Sequence, residues 1–314
     1  MQFPLTGTLL PRGPFDFFRS MQIFAGGDAQ IQDYAQETFR QVVRIGTVPA
    51  LLCVRSRGDI DLPVIDYSLL GSRDLDFAQK TEGGRKVTRI LSLDVDLQKF
   101  YDETRGDPVL AGITRRLRGL CNPTTESVFE ALVDTIIEQQ ISLQVAWGMQ
   151  ERLIRTCGES LQIGTHSFFA FPAPRRLAAA SVDELRTTGL SHRKIEYIQG
   201  IARQVSDGGL DLEQMGEGKK TPEVMESLME IRGIGRWTAE LTLVRGMQRF
   251  DAFPADDLGL RRHIGRFYRG GKEVLADEAR VIAEQWGVWK GLAGYYLIVA
   301  DRPGFMDSER NVTD

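Results

Sequence analysis

The stretch "LMEIRGIGRWTAELTLVRG", residues 228–246, restricts the chain more than any other. Two helical apolar patterns meet at Gly233-Ile234-Gly235, although glycine favours neither helix. Glycine tolerates positive φ and has no Cβ, so such a joint can bring backbone close to another surface. The second helix then starts at Arg236 with unpaired N–H groups pointing outward. A helix N-terminus behind a glycine turn favours an anion, typically phosphate. The segment predicts a helix–hairpin–helix that grips a nucleic-acid backbone. Arg232, Gly233, Ile234, Gly235, Arg236 and Thr238 are the candidate phosphate-binding positions. Taken alone, the tripeptide also reads as a plain joint between two packed helices.

The net charge of −4 argues mildly against a nucleic-acid partner, because phosphate binding relies on Lys and Arg. Main-chain donors soften that objection, and a binding face can be basic on an acidic protein. Cys53, Cys121 and Cys157 lie far apart and form no ligand spacing, so neither a zinc site nor an iron–sulfur cluster is expected. An odd thiol count without a bridging pattern suits a reducing cytosol. The start of the chain lacks a basic segment followed by an apolar run, so no signal peptide is expected. No apolar run approaches the roughly 18 residues of a membrane span.

The chain divides by pattern. In residues 1–100, "VVRIGTVPALLCVRSRG" and "GRKVTRILSLDVD" are β-branched and partly alternating, and predict strands. A helix is expected around "AQIQDYAQETF" or nearby. Residues 101–305 read as helical almost throughout, and 306–314 as a frayed tail. In "ESVFEALVDTIIEQQISLQVAWGMQERLIRTCG", Phe129, Leu132, Val133, Ile136 and Ile137 recur at helical spacing, with Asn122-Pro123 as the expected start. Three short helices follow, with Gly189 ending one and Ser191 capping the next. Thr221-Pro222 opens the first hairpin helix. The expected fold is mostly α with an N-terminal α+β domain.

Beyond the hairpin lies "DAFPADDLGLRRHIGRF". One of Asp256 and Asp257 suffices to cap the helix that follows, and the other is surplus to capping. The start of a helix favours negative charge. An ionised carboxylate is what a sugar cation at C1′ needs for stabilisation, or a water for activation.

The hairpin followed by "PADD" resembles the helix–hairpin–helix DNA glycosylase superfamily, and within it the 3-methyladenine DNA glycosylase II (AlkA-like) family. "FEALVDTIIEQQIS" is similar to the family's helix ending in a wedge loop, and "FPAPRRLAAASVDELRTTGLSHRKIEYI" to its next helices. "EQWGVWKGLAGYY" is similar to its C-terminal aromatic helix, and "LSLDVDLQKFY" to the end of its small N-terminal domain. The resemblance extends over residues 90–300 and is weak before them.

The resemblance implies a DNA glycosylase fold and a monofunctional enzyme of base excision repair. Such an enzyme hydrolyses the N-glycosidic bond of flipped-out alkylated purines, 3-methyladenine and 7-methylguanine, and leaves an abasic site. It implies Asp257 as the catalytic acid, with Asp256 capping the helix or orienting its neighbour. Bifunctional members carry a nucleophilic lysine where this chain has Trp237, so water is the expected nucleophile. Trp237 and Trp289 are the implied pocket aromatics, with Leu241 and Leu258 beside them. Among Phe17, Phe18, Ile23 and Phe24, no choice of pocket residue is possible from sequence. Gln140 falls at the wedge that fills the gap left by the flipped base, flanked by Gln139, Ile141 and Ser142. Main-chain carbonyls of Met229, Ile231 and Gly233 are the implied ligands of a structural cation. No cofactor for chemistry is implied. The expected partner is double-stranded DNA containing damaged bases. The expected state is a monomer in a bacterial-type cytoplasm, associated with the nucleoid. His166, His192 and His263 show no ligand spacing and read as surface or satisfied histidines.

Two alternatives stay open: a glycosylase for oxidised or deaminated bases, and a non-catalytic helix–hairpin–helix DNA-binding module. The lysine missing at Trp237 counts against the first, and the "PADD" acids against the second.

Overall fold

The structure, a computed structural model, describes residues 4–73, 75–302 and 305. The tail expected at 306–314 lies outside the described residues. The N-terminal part contains β1 (Leu5–Leu9), α1 (Phe17–Met21), β2 (Gln32–Ala35), β3 (Thr38–Ile45), β4 (Val48–Ser56), β5 (Ile65–Gly71) and α2 (Phe77–Ile90). The strands form one antiparallel sheet in the order β1-β5-β4-β3-β2. Alternate residues of β5 are buried, as a sheet with one covered face requires.

Two expectations for this region are corrected. The helix placed around "AQIQDYAQETF" is the β2–β3 hairpin, with Tyr34 opposite Phe39. Gln36 and Glu37 both have positive φ, 51° and 55°, the conformation of a tight hairpin turn. The strand expected at "GRKVTRILSLDVD" is mostly α2, which a capping box between Asp76 and Gln79 opens. Gly83, Gly84, Val87 and Ile90 form its buried face. A Cβ on Gly83 would stand 2.2 Å from Leu69 Cδ1, so the glycine lets α2 lie against the sheet.

The remainder contains α3 (Leu97–Thr104), α4 (Pro108–Arg116), α5 (Val128–Glu138), α6 (Leu143–Cys157), β6 (Ser160–Ile163) and β7 (His166–Phe169). Then come α7 (Pro174–Ala179), α8 (Val182–Arg186), α9 (His192–Ser206), α10 (Thr221–Met229), α11 (Arg236–Met247), α12 (Leu258–Tyr268), α13 (Ala276–Ala283) and α14 (Lys290–Ala300), with a 3-10 segment at Glu284–Trp289. The β6–β7 hairpin interrupts the expected run of helices. It packs Leu161 and Ala170 against Val42 of β3. The helix α5 starts at Ser127, whose side chain caps the Glu130 N–H, rather than at Asn122-Pro123. Thr221 and Pro222 lie in the first turn of α10, and Lys220 is the cap residue, with its N–H bonded to Glu223. Ser191 caps α9, and Gly189 precedes it at φ 93°.

Apolar side chains gather in two main clusters. One runs from Phe15 to Leu93 and includes Cys121, and the other runs from Leu97 to Phe305. The helical body and the sheet are pinned together by Glu126. Its Oε1 accepts from the Arg44 N–H at 2.6 Å and from Lys86 Nζ at 2.8 Å. Burial pushes the Cys121 thiol up to about 12. Among the described residues, no helix is long and apolar enough to cross a membrane.

Candidate active site

Helices α10 and α11 form the expected hairpin. Gly233 sits at φ 94°, and a Cβ there would lie 2.4 Å from the Tyr197 ring. The position therefore excludes a side chain for two independent reasons. Gly235 is the cap residue of α11, with no side-chain hydrogen bond at that cap and nothing within 4 Å of an added Cβ. No side chain caps the start of α11, the arrangement a helix start offers an anion. Arg232, Gly235 and Arg236 are exposed, whereas Ile234 and Thr238 are buried and fasten the turn from beneath. Arg232 pairs with Glu196 at 2.9 Å.

The acid lies across from this helix start. Asp257 caps α12, accepting the Leu260 N–H on Oδ1 at 2.8 Å. Its Oδ2 accepts the indole N–H of Trp237 at 3.1 Å. Each oxygen is held by one donor and keeps further lone-pair capacity. Asp257, rather than Asp256, is therefore the cap residue, and it is also the acid that meets the hairpin. Asp256 turns to Arg280 instead, at 2.8 Å. The surplus of two acids resolves into two separate roles.

Trp237 is half-buried. Leu241 follows one turn later and is buried, whereas Leu258 is 72% exposed beside the acid. Trp289 is corrected. It packs on Phe100 and Phe250 at ring distances of 5.6 and 6.5 Å, and its indole N–H donates to Glu103 at 2.6 Å. Phe250 follows the C-terminal end of α11, whose 12 residues run for about 18 Å. Trp237 stands at the opposite end, so the two tryptophans do not face one cavity. Of the four N-terminal candidates, Ile23 alone packs on the helical core, while Phe17, Phe18 and Phe24 pack within the sheet cluster.

The loop between α5 and α6 brings the other motif to the same face. Gln140 is exposed at φ 60°, a left-handed conformation that glycine adopts more readily. Gln139 does not project outward. Its Nε2 donates to the Gly233 carbonyl at 3.1 Å and to Thr238 Oγ1 at 3.0 Å, tying this loop to the hairpin. Ser142 caps α6 through the Val145 N–H, and Ile141 packs against the core. Lys194 was not singled out from sequence. Its Nζ donates to the carbonyls of Ile137 and Gln139 at 2.7 and 2.8 Å, capping the end of α5, and burial lowers its pKa. No motif marks such a lysine, because its acceptors are main-chain carbonyls.

For a hairpin cation, the Ile231 carbonyl accepts the Ile234 N–H at 3.0 Å and the Gly233 carbonyl accepts Gln139. A carbonyl has two lone pairs, so both oxygens remain able to ligate. His166 and His192 are exposed. His263 Nδ1 donates to Asp301 Oδ2 at 2.9 Å, and burial lowers the imidazole pKa.

Residues 133–289 match the family model described as HhH-GPD superfamily base excision DNA repair protein. The chain belongs to this superfamily. It is 29% identical over 257 residues to a DNA-3-methyladenine glycosylase of Bacillus subtilis, covering 82% of this chain and 84% of that one. It is 30% identical to DNA-3-methyladenine glycosylase 2 of Escherichia coli, over 63% of this chain and 67% of that one. The solved structure of a 3-methyladenine DNA-glycosylase from Archaeoglobus fulgidus superposes with a TM-score of 0.83 at 27% identity, covering 94% and 98% of the two chains.

Proposed function

We propose that this protein is a base-excision repair DNA glycosylase for alkylated bases, a hydrolase of N-glycosyl compounds. The observation that carries the mechanism is the double hold on Asp257, from the start of α12 and from Trp237. A carboxylate fixed beside an open helix start sits where a bound phosphate backbone would present its sugar.

In this reading the hairpin N–H groups take the DNA backbone, and Gln140 enters the duplex where the damaged nucleotide leaves. Unpairing costs a few kcal/mol, least for a damaged base. A cationic alkylated purine stacks favourably on an electron-rich indole, and Trp237 supplies one, a contact of roughly 0.5–2 kcal/mol. A cationic base is already a good leaving group and needs no protonation. As the C1′–N bond breaks, its electron pair leaves with the base. Asp257 stabilises the oxocarbenium-like sugar, and water adds to C1′ and loses a proton. No amine stands at position 237, so the product is an abasic site in an unbroken strand.

The proposal extends to double-stranded DNA with 3-methyladenine or 7-methylguanine as substrate, and to a monomer working in a bacterial-type cytoplasm. Carbonyls of Met229, Ile231 and Gly233 would hold a structural cation against a phosphate, with no part in the chemistry. The test is incubation with methylated duplex DNA in the presence of borohydride. Free methylated purine without a trapped covalent adduct supports the reading. A strong trapped band would overturn the assignment of water as nucleophile.

A further inference from the structure

The guanidinium of Arg280, on α13, stands at the junction of three segments that must agree for Asp257 to be in place. Its Nη1 donates to Glu240 Oε1 at 2.7 Å and to the Phe253 carbonyl at 3.3 Å. Its Nη2 donates to Asp256 Oδ2 at 2.8 Å. Glu240 lies on α11, one turn beyond Trp237, and its side chain is only 3% exposed. Phe253 and Asp256 belong to the turn that delivers Asp257. One rigid fork thus fastens the helix carrying Trp237 to the turn carrying its hydrogen-bond partner. A lysine ammonium would lack this planar array of donors.

The exposed side of this cluster faces the hairpin. Arg236 Nε also donates to Glu240 Oε1, at 3.0 Å, and Arg236 is 52% exposed at the start of α11. A buried carboxylate with no partner is costly. Arg280 would still hold Glu240 if a phosphate drew Arg236 away.

We propose that Arg280 is a positioning residue that sets the distance between Trp237 and the Asp257 carboxylate through Glu240, Asp256 and the Phe253 carbonyl. The proposal rests on Asp257 being the catalytic acid. A residue needed only for folding would lower stability, DNA affinity and rate together. A positioning residue lowers the rate of base release and leaves binding of the product-like state intact.

The experiment compares wild type, Arg280→Gln, Arg280→Lys, Asp256→Asn and the Arg280→Gln/Asp256→Asn double variant. Single-turnover release of methylated purine is measured beside affinity for a duplex with a tetrahydrofuran abasic analogue. Arg280→Gln should slow release by about 10- to 100-fold, the scale of a small displacement of a reacting group, with affinity for the analogue unchanged. Arg280→Lys should fall between the two. Asp256→Asn alone should slow release, and the double variant should be no slower than Arg280→Gln, because Arg280→Gln already removes the ion pair that Asp256→Asn weakens. Wild-type rates in both Arg280 variants, or rate and affinity falling together, would overturn the proposal, as would additive effects in the double variant. A wild-type protein that releases no base would instead overturn the glycosylase reading, and this proposal with it. Arg280→Lys and Asp256→Asn keep the test open if Arg280→Gln does not fold.

Discussion

A carboxylate that answers a developing positive charge works best when it is fixed before the charge appears. Asp257 meets that condition through two donors, of which the Trp237 indole is the one that sequence cannot reveal. Trp237→Phe keeps an aromatic face and removes the donor. Single-turnover release by that variant should fall by about 10-fold with affinity for abasic DNA retained. Trp237→Ala should fall further, since it also loses the stacking face. Gln140 offers a second test at this scale. A non-glycine residue at φ 60° carries a strain of about 1–3 kcal/mol. Gln140→Gly should therefore melt no lower than wild type while releasing base more slowly. A lower melting temperature would mean that the loop depends on the side chain it displays. At residue scale the "PADD" acids were legible because two adjacent acids exceed what one cap needs. Lys194, Glu240 and Arg280 were not legible, because their partners come from distant segments and no spacing announces them.

The hairpin α10–α11 was readable as an element because its glycines fail as helix residues and succeed as turn residues. They have different jobs. Gly233→Ala adds a Cβ against Tyr197 at a left-handed φ, so it should lower the melting temperature clearly. Gly235→Ala meets nothing within 4 Å and should melt within a few degrees of wild type, with about 1 kcal/mol lost at the cap at most. If the α11 N-terminus binds phosphate, Gly235→Ala should still weaken duplex binding, which a binding isotherm measures. Elements misread from sequence share a cause. Val87, Thr88 and Ile90 favour strands locally, yet the capping box at Asp76 and the Gly83 contact with Leu69 place them on a helix against the sheet. The β2–β3 turn uses Gln36 and Glu37 where glycine or asparagine would have signalled it. The β6–β7 hairpin is held by Val42 from a distant strand, a contact no local pattern contains.

Across the whole molecule, the helical body carries acids in its interior. Burial first, and the charge of Glu138 second, push Asp134 up to about 8 from an ordinary 3.8. Its Oδ1 has no hydrogen-bond partner, while Glu138 is taken by Arg245 at 2.7 and 2.8 Å. Between these values the folded chain binds the proton that the unfolded chain has lost. Stability from this group is therefore full below the unfolded pKa and declines as pH rises toward about 8. The fall in melting temperature over that window should be shallower in Asp134→Asn than in wild type. The start of α11 and the start of α12 meet at one acid, Asp257, and the proposed chemistry depends on it. Its most direct test is single-turnover release of methylated purines by wild type and Asp257→Asn, with abasic-duplex affinity measured beside it. Release by wild type that nearly vanishes in the variant, with affinity kept, is the predicted result. An Asp257→Asn variant that releases base near the wild-type rate would contradict the account.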